Sequence, residues 1–238
     1  MANLLELVQD ACDAIGIPRP NAVIGSTDPQ ARQLLRLANA DGLALSRRHD
    51  WQALIVEKTI TATATEEQTG GIPVDFDRMI PGSFWNRSQD RQVAGPLSPQ
   101  RWQMLKSGLI IMPYDCFRIR GSDLLMNPVP TAGDSLAYEY ISKYWCGGAD
   151  HDGSPTQAAW ASDTDVSFFD DELHILGMIW RYKRSRGLEY SEEFADYETR
   201  LASLAGHDGG QASLDMGLGD DGSAVVEPSV IDGNWSIT

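Results

Sequence analysis

Between Phe169 and Leu204 apolar side chains recur at steps of three and four. Phe169, Leu173, Leu176 and Trp180 share one heptad frame with Tyr190, Phe194, Tyr197, Leu201 and Leu204. Such a stripe has to be covered by other helices, because it cannot stay in water. Lys183 and Gly187 interrupt it. Asp170, Asp171 and Glu172 open its first half and Lys183, Arg184 and Arg186 close it, the order the helix dipole favours. Gly187 suits a left-handed C-terminal cap, and Ser191 before Glu192 and Glu193 suits a new N-cap. The spacing predicts two helices, about 168–186 and 191–205, with a short joint.

The same period marks the N-terminal stretch. Over residues 3–15, Leu4, Val8, Ala11 and Ile15 fall on one face, and Gly16 with Pro18 ends the helix. A loop with Pro18, Pro20 and Gly25 leads to Asp28-Pro29, an N-cap with proline in the first helical position. That helix runs to about Arg48 with Leu34, Leu37, Ala38 and Leu45 inward and Arg47, Arg48 and His49 at its end.

From Trp51 the period changes to two. Leu54, Val56, Ile60 and Ala62 alternate with Ile55, Glu57, Thr59 and Thr61, a β-strand pattern. Glu66 to Gly71 reads as a polar turn, and Pro73 to Trp85 is apolar but irregular, with a turn at Pro81-Gly82. Ser98-Pro99 opens a short helix carrying Trp102 and Leu105. Strands follow at about 109–112, 115–120 and 123–127, the last two joined by Gly121-Ser122. Residues 135–144 form another strand with Leu136, Tyr138 and Tyr140 on one face, and Gly147 to Asp165 is a polar loop.

The order of elements implies an α+β fold. The helices at the two chain ends, 1–50 and 166–205, form a helical bundle around a β-rich insertion, 51–165, and an extended acidic tail follows at 206–238. The tail carries six acidic residues and no Lys or Arg, and its glycines make it flexible. Its end holds Val225, Val226, Val230, Ile231, Trp235 and Ile237, apolar anchors suited to ordering against a partner.

Net charge changes the picture of partners. At −15 with a pI near 4.5 the surface repels phosphate backbones, which disfavours gripping DNA but suits DNA that must slide past. No run reaches the roughly 18 apolar residues of a membrane span, and the N-terminus lacks a signal-sequence pattern, so a soluble cytoplasmic chain is expected. Cys12, Cys116 and Cys146 are odd in number and widely spaced, which fits free thiols rather than a disulfide framework or zinc site.

Candidate chemistry is sparse. His49, His151, His174 and His207 fall in no metal-binding spacing, and His174 suits a packed or hydrogen-bonded role within its helix. Asp150 to Ser154 resembles the start of a calcium loop but lacks the next acidic ligand. Asp163 and Asp165 suit loop acids or caps. Asp75 and Asp77 are a carboxylate pair of the kind glycosidases use, although alternate residues usually point apart. Arg118 and Arg120 alternate on a strand beside Asp115 and Asp123, which suits ion pairing. Trp51, Trp85, Trp102, Trp145 and Trp180 are candidates for the core. No phosphate-cradling loop, nucleophile elbow, metal motif or cofactor motif is present.

Several segments together resemble a phage family: STDPQARQLLRLAN, RRHDWQAL, IPVDFDRMIPGSFWNR, GPLSPQRWQMLKSG, FRIRGSDLLMNPVP, AYEYISKYWC and LGMIWRYKRSRGLEYSEEFADYETRL. They look like the head-to-tail adaptor (connector) proteins of short-tailed phages, the tail tubular protein A-like family, over about residues 3–205. The resemblance implies a structural, non-enzymatic part of the virion neck, made in the host cytoplasm. It implies a dodecameric ring beneath the portal protein, with a nozzle or tail-tube protein below and genomic DNA passing through without sequence-specific contact or any membrane. The tail is the least recognisable part, so portal binding by Val225, Val226, Val230, Ile231, Trp235 and Ile237 is an expectation from its composition. Two alternatives stay open: a soluble binding module, and a carboxylate-dependent hydrolase using Asp75 or Asp77.

Overall fold

Each of the first four helices begins where the sequence supplies a side-chain acceptor for its first amides. The computed structural model describes residues 1–108, 112–148 and 154–209. Helix α1 (Leu4–Ile15) starts at Asn3, which accepts from the Glu6 N–H while the Glu6 carboxylate accepts from the Asn3 N–H. Helix α2 (Pro29–Arg48) starts at Asp28, bonded to the Gln30 N–H at 3.1 Å. Ser98 caps α3 (Pro99–Lys106), and Asp170 caps α4 (Asp171–Ser185) through the Leu173 N–H at 3.0 Å. After α4 the Leu188 N–H reaches the Lys183 carbonyl at 3.0 Å and the Gly187 N–H that of Arg184 at 3.2 Å. Those two bonds, with Gly187 at φ 70°, make a left-handed stop.

Helix α5 (Ser191–Asp208) departs from expectation at both ends. Ser191 is its first helical residue rather than its N-cap, because its hydroxyl bonds the Glu189 carboxylate instead of a helix amide. The C-terminal end runs three residues into the expected tail. There the Asp208 carboxylate accepts from the Gln52 N–H at 2.8 Å and lies 3.5 Å from His49 Nε2.

The strands are antiparallel. Strand β1 (Ile55–Thr61) pairs along its whole length with β8 (Ser135–Ser142), from Ile55 opposite Ile141 to Thr61 opposite Ser135. On the other edge of β8 lie β3 (Phe76–Met79) and β4 (Trp85–Asn86), and β4 pairs with β5 (Arg91–Gln92). A second sheet orders β2 (Glu67–Gln68), β7 (Asp123–Asn127) and β6 (Cys116–Arg120), with β6 and β7 turning at Gly121 and Ser122 as expected. The expected strand at 109–112 falls largely outside the described residues. Leu54 belongs to a short 3-10 turn rather than to β1. The loop expected to be polar is pinned at its ends by β9 (Cys146–Gly147) and β10 (Val166–Ser167).

Two apolar clusters fill the interior. The first joins α1, α2, α4 and α5 through Leu4, Leu7, Val8, Leu34, Leu45, Leu173 and Tyr197. It also takes in Trp51, Trp145, Cys146 and Trp160, which lie in sequence between the helices expected to form one unit and the strands. The second is built by strands, with Phe84, Phe117, Leu124, Met126, Leu136, Tyr138 and Tyr140. Trp85 is not core: 40% of it is exposed. Tyr190 and Phe194, expected on the covered stripe, are also exposed.

Helix α2 is approached closely at two places, by α4 through Gly177 and by the Trp145 ring at Gly42. A Cβ on Gly177 would lie 2.2 Å from Asp41 Oδ1, and one on Gly42 would lie 2.3 Å from the Trp145 ring. Gly177→Ala is therefore expected to lower the urea midpoint, by about 1–3 kcal/mol of stability, with the slope of the transition unchanged. An unaltered midpoint would show that the helices can separate freely there.

Candidate functional site

One inward position of α2 carries a carboxylate instead of a hydrocarbon. Asp41 follows Leu34 and Ala38 at helical spacing and precedes Leu45, so its side chain enters the first apolar cluster fully buried. A lone carboxylate there would be costly, and it is surrounded by donors from two other helices. His174 Nδ1 lies 2.8 Å from Asp41 Oδ2. Arg181 Nη1 donates to Asp41 Oδ1 at 2.5 Å, and the Tyr197 hydroxyl donates to the same oxygen at 3.1 Å. His174 and Arg181 sit on α4 and Tyr197 on α5, so a single carboxylate ties three helices together.

The network continues outward through the imidazole. His174 Nε2 lies 2.7 Å from Ser167 Oγ on β10, and that hydroxyl accepts from the Phe169 N–H at 3.1 Å. In the tautomer that donates from Nδ1 to Asp41, the Ser167 hydroxyl donates a hydrogen bond to Nε2. Rings enclose it: Trp145, Trp160 and Phe169 have centroids 5.9, 6.0 and 5.9 Å from that of His174. Arg181 lies over Trp180 at 4.3 Å, so its charge meets both a carboxylate and an aromatic face. Burial first and the Asp41 charge second push the Tyr197 phenol upward, which keeps it a donor.

Serine, histidine and aspartate in this order are the elements of nucleophilic catalysis. Their surroundings decide against that use here. Ser167 and Asp41 are 0% exposed and His174 is 1% exposed, so no carbonyl substrate can reach the hydroxyl. Asp41 is also shared with Arg181 and Tyr197, and the Ser167 oxygen already accepts an amide hydrogen. The arrangement is a polar lock, and it accords with the packed role expected for His174.

The other candidate acids among the described residues serve separate neighbours. Asp75 accepts from the Tyr140 hydroxyl at 2.9 Å and from Ser142 Oγ at 2.9 Å, whereas Asp77 pairs with Arg78 at 2.6 Å. The two carboxylates thus serve different neighbours. Asp163 accepts from the Ile24 N–H at 2.7 Å and Asp165 from the Ala161 N–H at 2.7 Å, as loop acids and not as caps of α4. Arg120 approaches Asp123 at 3.9 Å. Among the described residues no group of three His, Cys, Asp or Glu side chains is placed to hold a metal ion. The calcium-like run at Asp150 and the anchors Val225, Val226, Val230, Ile231, Trp235 and Ile237 lie outside the described residues.

Surface clefts open at two places among the described residues. One, of about 410 Å³, lies on the exposed side of the first sheet and is lined by Trp85, Glu57, Arg87, Asp90 and Glu139; Arg87 is held by Glu57 at 2.9 Å. The other, of about 500 Å³, opens where α4 ends and α5 begins and is lined by Trp180, Arg184, Glu189, Tyr190, Ser191 and Phe194. Among the described residues no helix is long and apolar enough to cross a membrane. No family model matches the chain, and no curated protein matches it.

Replacing Asp41 by Ala is expected to cost about 3–5 kcal/mol, because Arg181 is left partly buried and unpaired. Ser167→Ala is expected to cost only about 1–3 kcal/mol. Urea denaturation of both variants checks the ranking, and equal losses would place the lock elsewhere. Burial pushes the Cys146 thiol up to about 12 and those of Cys12 and Cys116 up to about 11, from an ordinary 9.0. Their contribution to stability is intact below pH 9 and is lost as pH rises through 11 to 12, because the unfolded chain gives up these protons first. Alkaline titration of the melting temperature should show that decline, with the thiols inert to a disulfide reagent at pH 8 until the chain unfolds.

Proposed function

We propose that the chain is a structural head-to-tail adaptor of a phage virion. Copies form a ring, dodecameric by the resemblance, under the portal protein, join the capsid to a nozzle or tail-tube protein, and line the DNA passage. The observation that carries this reading is the Asp41 lock. It fastens helices from the two ends of the chain into one unit, α2 from the start and α4 and α5 from the end, with the strands between them. A helical bundle of that kind, bearing a β-rich insertion, is the organisation the family resemblance implies. A serine–histidine–aspartate set closed to substrate suits a part whose work is mechanical. The net charge of −15 supports a lumen that repels phosphates and lets DNA slide. In this reading the apolar end of the tail, Val225 to Ile237, clasps the portal. The carboxylate-hydrolase alternative has less support, because Asp75 and Asp77 are engaged by separate partners.

Negative-stain microscopy of the purified protein mixed with the portal protein of its phage is expected to show annular particles. Deleting residues 225–238 is expected to abolish their assembly on the portal. A monomer that ignores the portal would remove the adaptor reading, and assembly by the truncated chain would remove the clasp alone.

A further inference from the structure

The cleft at the α4–α5 joint exposes aromatic surface that the fold leaves uncovered. Trp180 forms its floor at 8% exposure, while Tyr190 and Phe194 are each 37% exposed along its wall. The Phe194 ring stands edge-on to Trp180 at 5.1 Å and Tyr190 is tilted against it at 6.3 Å, so the wall is already ordered. Of the two charged residues in the lining, Glu189 is occupied by the Ser191 hydroxyl and amide. Arg184 lies 5.9 Å from the Trp180 ring and has no carboxylate partner among the described residues. The cleft therefore presents an aromatic floor, a carboxylate turned to Ser191 and a cation without a carboxylate partner, and suits an apolar guest that carries an acid able to reach Arg184.

The chain contains such a segment. Residues 225–237 carry Val225, Val226, Val230, Ile231, Trp235 and Ile237 with Glu227 and Asp232, and no Lys or Arg. We propose that this cleft is the docking site for the apolar end of the chain's own C-terminal segment. Length selects the same molecule over a second copy. From Gly209 back along α5 to Phe194 is 15 residues, about 22 Å of helix. The connecting run, 210–224, contains Gly210, Gly217, Gly219 and Gly222. A glycine-rich chain of that length has a root-mean-square span of about 20 Å. A tether whose span matches the gap gives an effective concentration in the millimolar range, far above that of another molecule in dilute solution. The contact concerns the isolated chain and holds whether or not the chain is an adaptor. For an adaptor, the portal would have to draw the segment out of its cleft.

Hydrogen exchange on the full-length protein at micromolar concentration tests this. Amides of 225–237 are expected to exchange at least tenfold more slowly than those of an unstructured peptide of the same sequence. Phe194→Ala, Arg184→Glu and Trp235→Ala should each speed that exchange, while protection in α1 and α4 stays as it was and reports an intact fold. Should Phe194→Ala perturb the fold, Arg184→Glu alone decides the matter. Tenfold dilution should change nothing. Exchange at the unstructured rate, protection that survives the cleft substitutions, or protection that falls on dilution through capture by a second copy would each overturn the proposal.

Discussion

The Asp41 carboxylate is the constraint around which the first core is arranged. It has two oxygens, both buried, and it receives donors from an imidazole, a guanidinium and a phenol on two helices. Gly177 has to be glycine for α4 to come this near, since any Cβ would collide with the carboxylate. Trp145 presses on Gly42 one residue further along α2, so the strand-side loop is held at the same place. A hydrocarbon in place of Asp41 would pack without directional preference, whereas the carboxylate accepts one angular arrangement of α2, α4 and α5. A buried ion pair is weak evidence for stability, since well-packed apolar side chains of similar volume often do as well, and its directional demand is what distinguishes it. Here the pair also fixes the imidazole, and through it Ser167 and the start of the loop leading into α4.

The two clusters divide the chemistry of burial. The helical one mixes aliphatics, tryptophans and this polar set, while the strand cluster is mainly aromatic and aliphatic, with Phe84 edge-on to Phe117 at 4.9 Å and Tyr138 at 5.5 Å. In the strand cluster the buried Tyr138 hydroxyl donates to the Gly71 carbonyl, and the Tyr140 hydroxyl is taken up by Asp75. Asp75, at first sight a catalytic candidate, is thereby an acceptor for the sheet.

Much of the helical framework was legible because capping and periodicity are local. Asp28 and Ser98 announce their helices within four residues and Gly187 announces the joint, whereas Asp170, expected inside the first turn, proves to be the cap before it. The lock was not legible, since its members are 133 to 156 residues apart in the chain. A signal did exist: Asp41 interrupts an otherwise apolar face at the spacing of Leu34, Ala38 and Leu45, and an acid on such a face requires buried donors. Trp160 was not legible because it lies within a stretch, Gly147 to Asp165, whose overall composition is that of a polar loop, yet it packs beside Trp145 at 5.2 Å. The heptad frame overreached at Tyr190 and Phe194. Periodicity reports which residues share a side of a helix, and it cannot report whether enough chain exists to cover that side. Ser191 was misplaced for a related reason, because Glu189 competes for its hydroxyl before the helix amides can.

Trp51, Trp145, Trp160 and Trp180 lie in the helical cluster and none lies in the strand cluster, whose rings are phenylalanine and tyrosine. Indole emission from this protein is consequently weighted toward one half of its interior. Among the other described indoles, Trp85 on β4 is 40% exposed and Trp102 on α3 is buried outside both clusters, so loosening of the sheets alone would reach a tryptophan spectrum only through these two. The buried indole signal is thus chiefly a gauge of the helical interior.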